Sequence, residues 1–253
     1  MSVETELTHI NKSSSGSTSR GRVPFLISIA LIAGLGLSSQ LSAQGSASTD
    51  TNGDGLSDVD NILDEIDRLK KVGVVFDDED SQGHIPIKRG DGLYHMACVD
   101  LILVAYRAAG YDLCRALGGG RLERDKAEGL YKKGDHGGSA RLVVNLVAYV
   151  KKSPAFTYYD VWGTSPLDEP WYPEVPFQVG DILFLHYTDS KDRHSCIVTD
   201  VDDQTGLPTR VANISAYNPG EDLQEIPFEA LFQLYCRRIS GYVRPTVWNT
   251  RDS

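Results

Sequence analysis

Two side chains of this chain have the types and settings that nucleophilic catalysis needs. Cys98 stands at the head of an apolar run, Cys98 to Ala109 (CVDLILVAYRAA), that stops at Gly110 and reads as a central buried helix. A thiol at a helix N-terminus faces unpaired N–H groups and the positive end of the helix dipole. Both favour the thiolate, and a neighbouring imidazolium lowers a thiol pKa further. His194 opens a strand-like run, His194 to Val201 (HSCIVTDV), so its ring is expected at the end of a sheet. If the Cys98 helix packs on that face, thiol and imidazole meet. The structural alternatives are a buried small hydrophobe or half of a disulfide for Cys98, and a hydrogen-bonded core histidine for His194.

A second cluster precedes it. Residues 50 to 61 read DTNGDGLSDVDN. Counted from Asp50, oxygen-bearing side chains fall at the first, third, fifth and ninth positions (Asp50, Asn52, Asp54, Asp58). Gly55 takes the sixth, Leu56 offers its carbonyl at the seventh, and Asn61 stands at the twelfth. Alternating hard oxygens on a tightly turned loop are what Ca²⁺ selects. With Asn in place of a bidentate Glu at the end, the segment resembles the short calcium repeats of thrombospondin type 3 and dockerin modules more than an EF-hand. That implies structural calcium as the cofactor; a soluble linker is the alternative. The spacing predicts a helix after it, capped by Ser57 or Asp58, with Val59, Ile62, Leu63, Ile66 and Leu69 on one face and Gly73 at its end. Asp77 to Asp80 lacks the alternation and reads as a solvated turn.

The elements that must position these groups form an α+β pattern. Arg115 to Gly138 reads as a surface excursion. Ser139 is expected to cap a helix over Ala140 to Lys152, and residues 154 to 177, rich in proline, read as an irregular loop. Strands are expected at Asp181 to Tyr187, His194 to Val201, Arg210 to Ser215 and Ile239 to Arg244, with a helix at Pro227 to Arg238. Helices first and an antiparallel meander afterwards place the helices on one face of the sheet.

Composition bounds the rest. The chain has 253 residues, 41% of them hydrophobic and 24% charged, enough for one sizeable core and incompatible with collagen, coiled coil or wholesale disorder. A net charge of −10 lacks the basic stripe that phosphate-backbone binding relies on, so nucleic acid is not an expected partner. Phe25 to Leu37 is an uncharged apolar run, shorter than the roughly 20 residues of a membrane span and suited to a signal peptide. Leu41-Ser42-Ala43 offers a cleavage site; an uncleaved anchor is the alternative. Either way the chain is expected to be exported, to a periplasmic or extracellular address, with no stable membrane span once the leader is removed. The expected organisation is a signal peptide at 1–43, the calcium loop and helix at 44–73, and a main domain at 85–245.

Of the four cysteines, Cys98 and Cys114 lie too far apart along a helix for a bridge, whose Cα atoms stand about 4.4 to 6.8 Å apart. Cys114, Cys196 and Cys236 leave one bridge open among themselves. His84, His95, His136 and His186 show no metal-ligand spacing, which argues against catalytic zinc.

A family resemblance runs through the main domain. Ala97-Cys98-Val99-Asp100, Val179-Gly180-Asp181-Ile182, Arg193-His194-Ser195-Cys196-Ile197-Val198-Thr199-Asp200, Ala212-Asn213-Ile214-Ser215 and Ile239-Ser240-Gly241-Tyr242 occur in the order of motifs in an uncharacterised exported bacterial family. Its members read C-T-D-V, P-G-D-I, P-H-I-G-I-V-S-D, H-N-I-G and I-T-G-H-Y. That family is similar to the NlpC-like papain-fold cysteine peptidases, which cut amide bonds in peptidoglycan stem peptides. The resemblance implies a papain-like α+β fold, with a helix bearing Cys98 packed on an antiparallel sheet bearing His194. It implies Cys98 as nucleophile, His194 as base and cell-wall peptide as substrate. Ala212 replaces the family's His, leaving Asn213 as the nearest polar group to orient the imidazole, alongside a backbone carbonyl, a water or another side chain. Val179 and Arg193 replace prolines and Cys196 replaces a glycine. These departures keep a non-catalytic, calcium-dependent binding or assembly module open as the alternative, and acyl transfer as a variant of hydrolysis.

Overall fold

A computed structural model describes residues 49–77, 90–117, 142–164, 173–187 and 193–249, apart from 217, 219, 221 and 235. The chain divides into two units after Gln40, and all described residues belong to the second. The signal-peptide reading, most of the acidic turn and most of the 115–138 excursion lie outside the described residues.

Helix α1 (Asp58–Val72) forms as its spacing predicts. The Ser57 hydroxyl caps it by accepting the Asp60 N–H at 3.0 Å, and Gly73, at φ +85°, ends it. Its apolar face, Ile62, Ile66 and Leu69, is buried in the same core as the helices that follow, so α1 is part of the main body. Two short strands, β1 (Val74–Phe76) and β2 (Tyr94–Met96), pair in parallel and lead into α2 (Cys98–Ala108). Helices α3 (Leu113–Ala116) and α4 (Val143–Val150) follow. The second helix predicted from Ala140 is therefore shorter: it starts at Val143 behind Leu142, with 139–141 outside the described residues.

The main sheet holds six strands, β3 (Phe156–Thr164), β4 (Ile182–Tyr187), β5 (Arg193–Val201), β6 (Pro208–Asn213), β7 (Gln224–Pro227) and β8 (Cys236–Pro245). Helix α5 (Phe228–Leu234) precedes β8, and a 3₁₀ turn (Thr246–Asn249) follows it. The order is β3-β8-β4-β5-β6-β7, with every neighbour antiparallel.

Three expectations are corrected. Residues 156–164 are an edge strand, not loop: the stretch between Pro154 and Pro166 is free of proline and rich in aromatic and β-branched residues. It pairs with β8, and Tyr159 stacks on Tyr242 at 4.6 Å. The helix expected to reach Arg238 stops at Leu234, because Cys236, Arg238 and Ile239 pair with β4 and strand pairing outweighs the basic C-terminal signal. Helices cover both faces of the sheet. Ile182, Phe184, Ile197 and Ala212 pack with residues of α1 to α4, whereas Leu183, Leu185, Cys196 and Val198 pack with Phe228, Leu231 and Phe232 of α5. This explains the near-continuous apolar run of β4, a strand buried on both sides.

Candidate active site

β2 ends at Met96, and Ala97 turns the extended chain into α2, so Cys98 is the first residue of the helix. Ala97 has no side chain to cap with. The buried Asp100 carboxylate reaches back instead and accepts the Ala97 N–H at 2.7 Å. The half-buried Cys98 points its sulfur inward. Burial pushes the thiol pKa up; the Ser195 N–H and hydroxyl and the Val99 N–H draw it down, and the Asp100 charge adds to the rise. The helix N-terminus therefore does not by itself hold a thiolate here, because desolvation is the larger effect.

His194 is the second residue of β5, opposite Leu185, and is 1% exposed. Its Nε2 lies 2.5 Å from the Asn213 side-chain oxygen. Asn213 donates its amide N–H to Asn218 at 2.8 Å, and Asn218 donates in turn to the carbonyls of Asn213 and Asp222. That chain fixes which way the Asn213 amide points. Since Oδ1 can only accept, Nε2 carries the proton and Nδ1 is the acceptor nitrogen. Tyr187, the last residue of β4, donates its hydroxyl to Nδ1 at 3.2 Å. Burial lowers His194 to about 4 against the opposing pull of Asn213, so the ring is neutral at pH 7. Its folded value lies below the ordinary 6.5, so the native state binds fewer protons between those limits. This group's contribution to stability is accordingly present above pH 6.5 and is lost as pH falls to 4.

Strand alternation decides which residue of the Ala212-Asn213 pair meets the imidazole. β5 and β6 pair with Ile197 opposite Ala212, so Ala212 faces α2 in the core while Asn213 shares the face of His194 and Cys196. The Cys98 sulfur lies beside Ser195 on the face where α2 packs, whereas the neighbouring His194 projects from the opposite face with Asn213, so α2 does not pack on the imidazole's face, and among the described residues no hydrogen bond joins thiol to imidazole. Burial raises the thiols of Cys196 and Cys236, residues of the imidazole's face, and the nearby Cys98 sulfur adds to both. All four cysteines are free thiols. Tyr187, Asn218 and Ser195 escaped the sequence reading. Only Ser195 left a signal there, as the residue between His194 and Cys196 in the run that opens with the imidazole.

The Asp50–Asn61 loop divides its ligand candidates. Asp50 accepts the N–H groups of Gly53, Asp54 and Gly55, and the Asp54 carboxylate receives the amides of Asn52 at 2.9 Å and Asn61 at 3.2 Å. The Leu56 N–H also bonds Asp54. Asp58 turns into the fold: its carboxylate accepts from Thr49 Oγ1, Thr51 N and Oγ1, Tyr111 Oη and Trp248 Nε1. Among the described residues no group of three or more His, Cys, Asp or Glu is gathered to hold a metal.

Among the described residues, no helix is long and apolar enough to cross a membrane. No curated protein and no solved structure matches the chain. A family model does: the domain of unknown function DUF1287 matches residues 69–233, a span that runs from the end of α1 into α5 and takes in Cys98, His194 and Asn213. This chain belongs to the DUF1287 family.

Proposed function

We propose that this chain is an exported cysteine hydrolase of NlpC-like, papain-like type that cleaves amide bonds in peptidoglycan stem peptides. The observation that carries the reading is the buried, tautomer-fixed His194–Asn213 pair one residue from Ser195, on which the Cys98 sulfur rests. The apolar leader at Phe25 to Leu37 supports export.

With the thiol raised and the imidazole lowered, the resting pair is neutral, and the proton moves as the bond forms. Tyr187 releases Nδ1, which takes the thiol proton while sulfur attacks the amide carbonyl. The imidazolium, its Nε2–H held by Asn213, protonates the departing amine and leaves a thioester. Water then attacks the thioester, giving a proton to Nδ1, and the thiol is restored as the acid product leaves.

Incubating the full chain with stem peptides is expected to yield a new amine and a new carboxylate by mass spectrometry, and alkylation of Cys98 with iodoacetamide abolishes both. Intact peptides, or cleavage indifferent to alkylation, would overturn the reading and leave the binding module in its place.

We also propose that the Asp50–Asn61 loop takes Ca²⁺, a reading supported by the convergence of Asn52, Asp54 and Asn61. Asp58 contributes to the fold instead. Calorimetric titration with Ca²⁺ is expected to give binding heat that Asp54→Ala removes. Asp58→Ala should lower stability by roughly 2–3 kcal/mol through the loss of its five hydrogen bonds, one of them from the buried Trp248. Absence of heat in the unaltered protein would return the loop to a linker.

A further inference from the structure

Ser195 is 0% exposed, and its hydroxyl closes no hydrogen bond with any described residue. A buried hydroxyl without a partner costs about 1–3 kcal/mol, so one kept between the buried His194 and Cys196 asks for a use. Its neighbours supply one. Ser195 shares its face of β5 with Ile197, the face on which α2 packs, and it stands opposite Phe184. Its backbone N–H lies near enough to the Cys98 sulfur to draw the thiol downward, as does the N–H of Val99 in the first turn of α2. The hydroxyl lies close enough to the same sulfur to draw the thiol downward without engaging it.

A thiol is a weak acceptor and gives the hydroxyl little reason to turn. A thiolate is a strong one, and three donors already surround the place where it forms. Among the described residues, no charged group around the sulfur favours that anion. His194 is neutral, its Nδ1 accepts from Tyr187, and the Asp100 charge that acts on the sulfur is of the wrong sign.

We propose that Ser195 is a catalytic residue of the nucleophile's site, its hydroxyl donating to the Cys98 sulfur once the thiol has lost its proton. This rests on the reading of Cys98 as the nucleophile. The step is a rotation of Ser195 about χ1: the S–H proton leaves for a base, and the O–H of Ser195 becomes the third donor to sulfur beside two backbone N–H groups. The oxygen keeps its own proton.

The test is the pH dependence of Cys98 alkylation by iodoacetamide in the full chain, followed on the Cys98 peptide by mass spectrometry. Ser195→Ala is expected to move the midpoint upward by about one pH unit, slowing alkylation about tenfold at a fixed pH below it. Ser195→Thr, which keeps the hydroxyl, should hold the midpoint near that of the unaltered chain. A midpoint unmoved by Ser195→Ala, or moved equally by both variants, overturns the assignment. Peptide turnover separates the two ideas. If Cys98→Ala remains active, the hydrolase reading fails while the alkylation result still stands. If Cys98→Ala is inactive and the Ser195→Ala midpoint is unmoved, only the role of Ser195 is lost.

Discussion

Asn213→Ala is expected to lower peptide turnover by roughly 100-fold or more while Cys98 in the folded protein keeps reacting with iodoacetamide. The imidazole has one productive tautomer, with the proton on Nε2 and the lone pair on Nδ1. In this structure the Nε2 proton is held by the Asn213 carbonyl oxygen, whose direction the Asn218 amide fixes. Alanine leaves a buried N–H without its acceptor, so the ring is free to place its proton on Nδ1, where it cannot act as a base. The same hydrogen bond is what opposes burial at His194. Its loss drives the ring still lower than about 4, and the imidazolium formed during attack loses its support. Stopped-flow or endpoint turnover, with Cys98→Ala as the inactive control, reads the effect. Turnover unchanged in Asn213→Ala beside an inactive Cys98→Ala would remove Asn213 from the site and leave the Cys98 and His194 pair. Cys98→Ala itself should retain the fold, since only one sulfur is lost from a half-buried residue at a helix start.

The second large effect is on stability. Arg244→Ala is expected to cost about 3–5 kcal/mol, read as a fall in the denaturant midpoint. Arg244 and Asp181 are 1% and 0% exposed and meet through two hydrogen bonds, Nε to Oδ1 at 3.0 Å and Nη2 to Oδ2 at 2.8 Å. Arg244 also donates to the Pro176 carbonyl at 2.7 Å, and its guanidinium lies over the Tyr159 ring at 5.1 Å. One side chain on β8 thus fastens the segment that leads into β4. Desolvation raises Asp181 to about 6 against the pull of Arg244 and the Gln178 N–H. Without Arg244 that opposing pull goes, and the carboxyl rises further. A buried acid whose folded pKa is raised binds its proton more tightly in the native state. Stability is therefore greater at low pH and falls as pH rises from the unfolded value toward the folded one. The deficit of Arg244→Ala should accordingly be larger at pH 8 than at pH 5. A double variant, Asp181→Leu with Arg244→Met, should recover most of it, because the cost lies in the orphaned charge rather than in the absence of the pair. An Arg244→Ala deficit below 1 kcal/mol, or one independent of pH, would show that the ion pair does not anchor this corner.

What the order of residues determined was local. Ser57, the apolar spacing of Ile62, Ile66 and Leu69, and Gly73 carry all that α1 needs, because capping and periodicity act within one or two turns. The same holds for Cys98 at the head of an all-apolar helix and for His194 at the start of a strand. The tertiary structure decided every feature that joins distant segments. Phe156–Thr164 is a strand because β8 is there to pair with it, a partner that no window around Pro154 contains. Asn213, and not Ala212, faces the imidazole because Ile197 pairs with Ala212, and a register one residue different would have exchanged them. Asp58 sits within a calcium-like pattern yet spends its carboxylate on Tyr111 and Trp248, 53 and 190 residues away. Tyr187 and Ser195 entered the site for the same reason: strand pairing and helix packing set which side chains meet, and both depend on long-range contacts that sequence spacing does not encode.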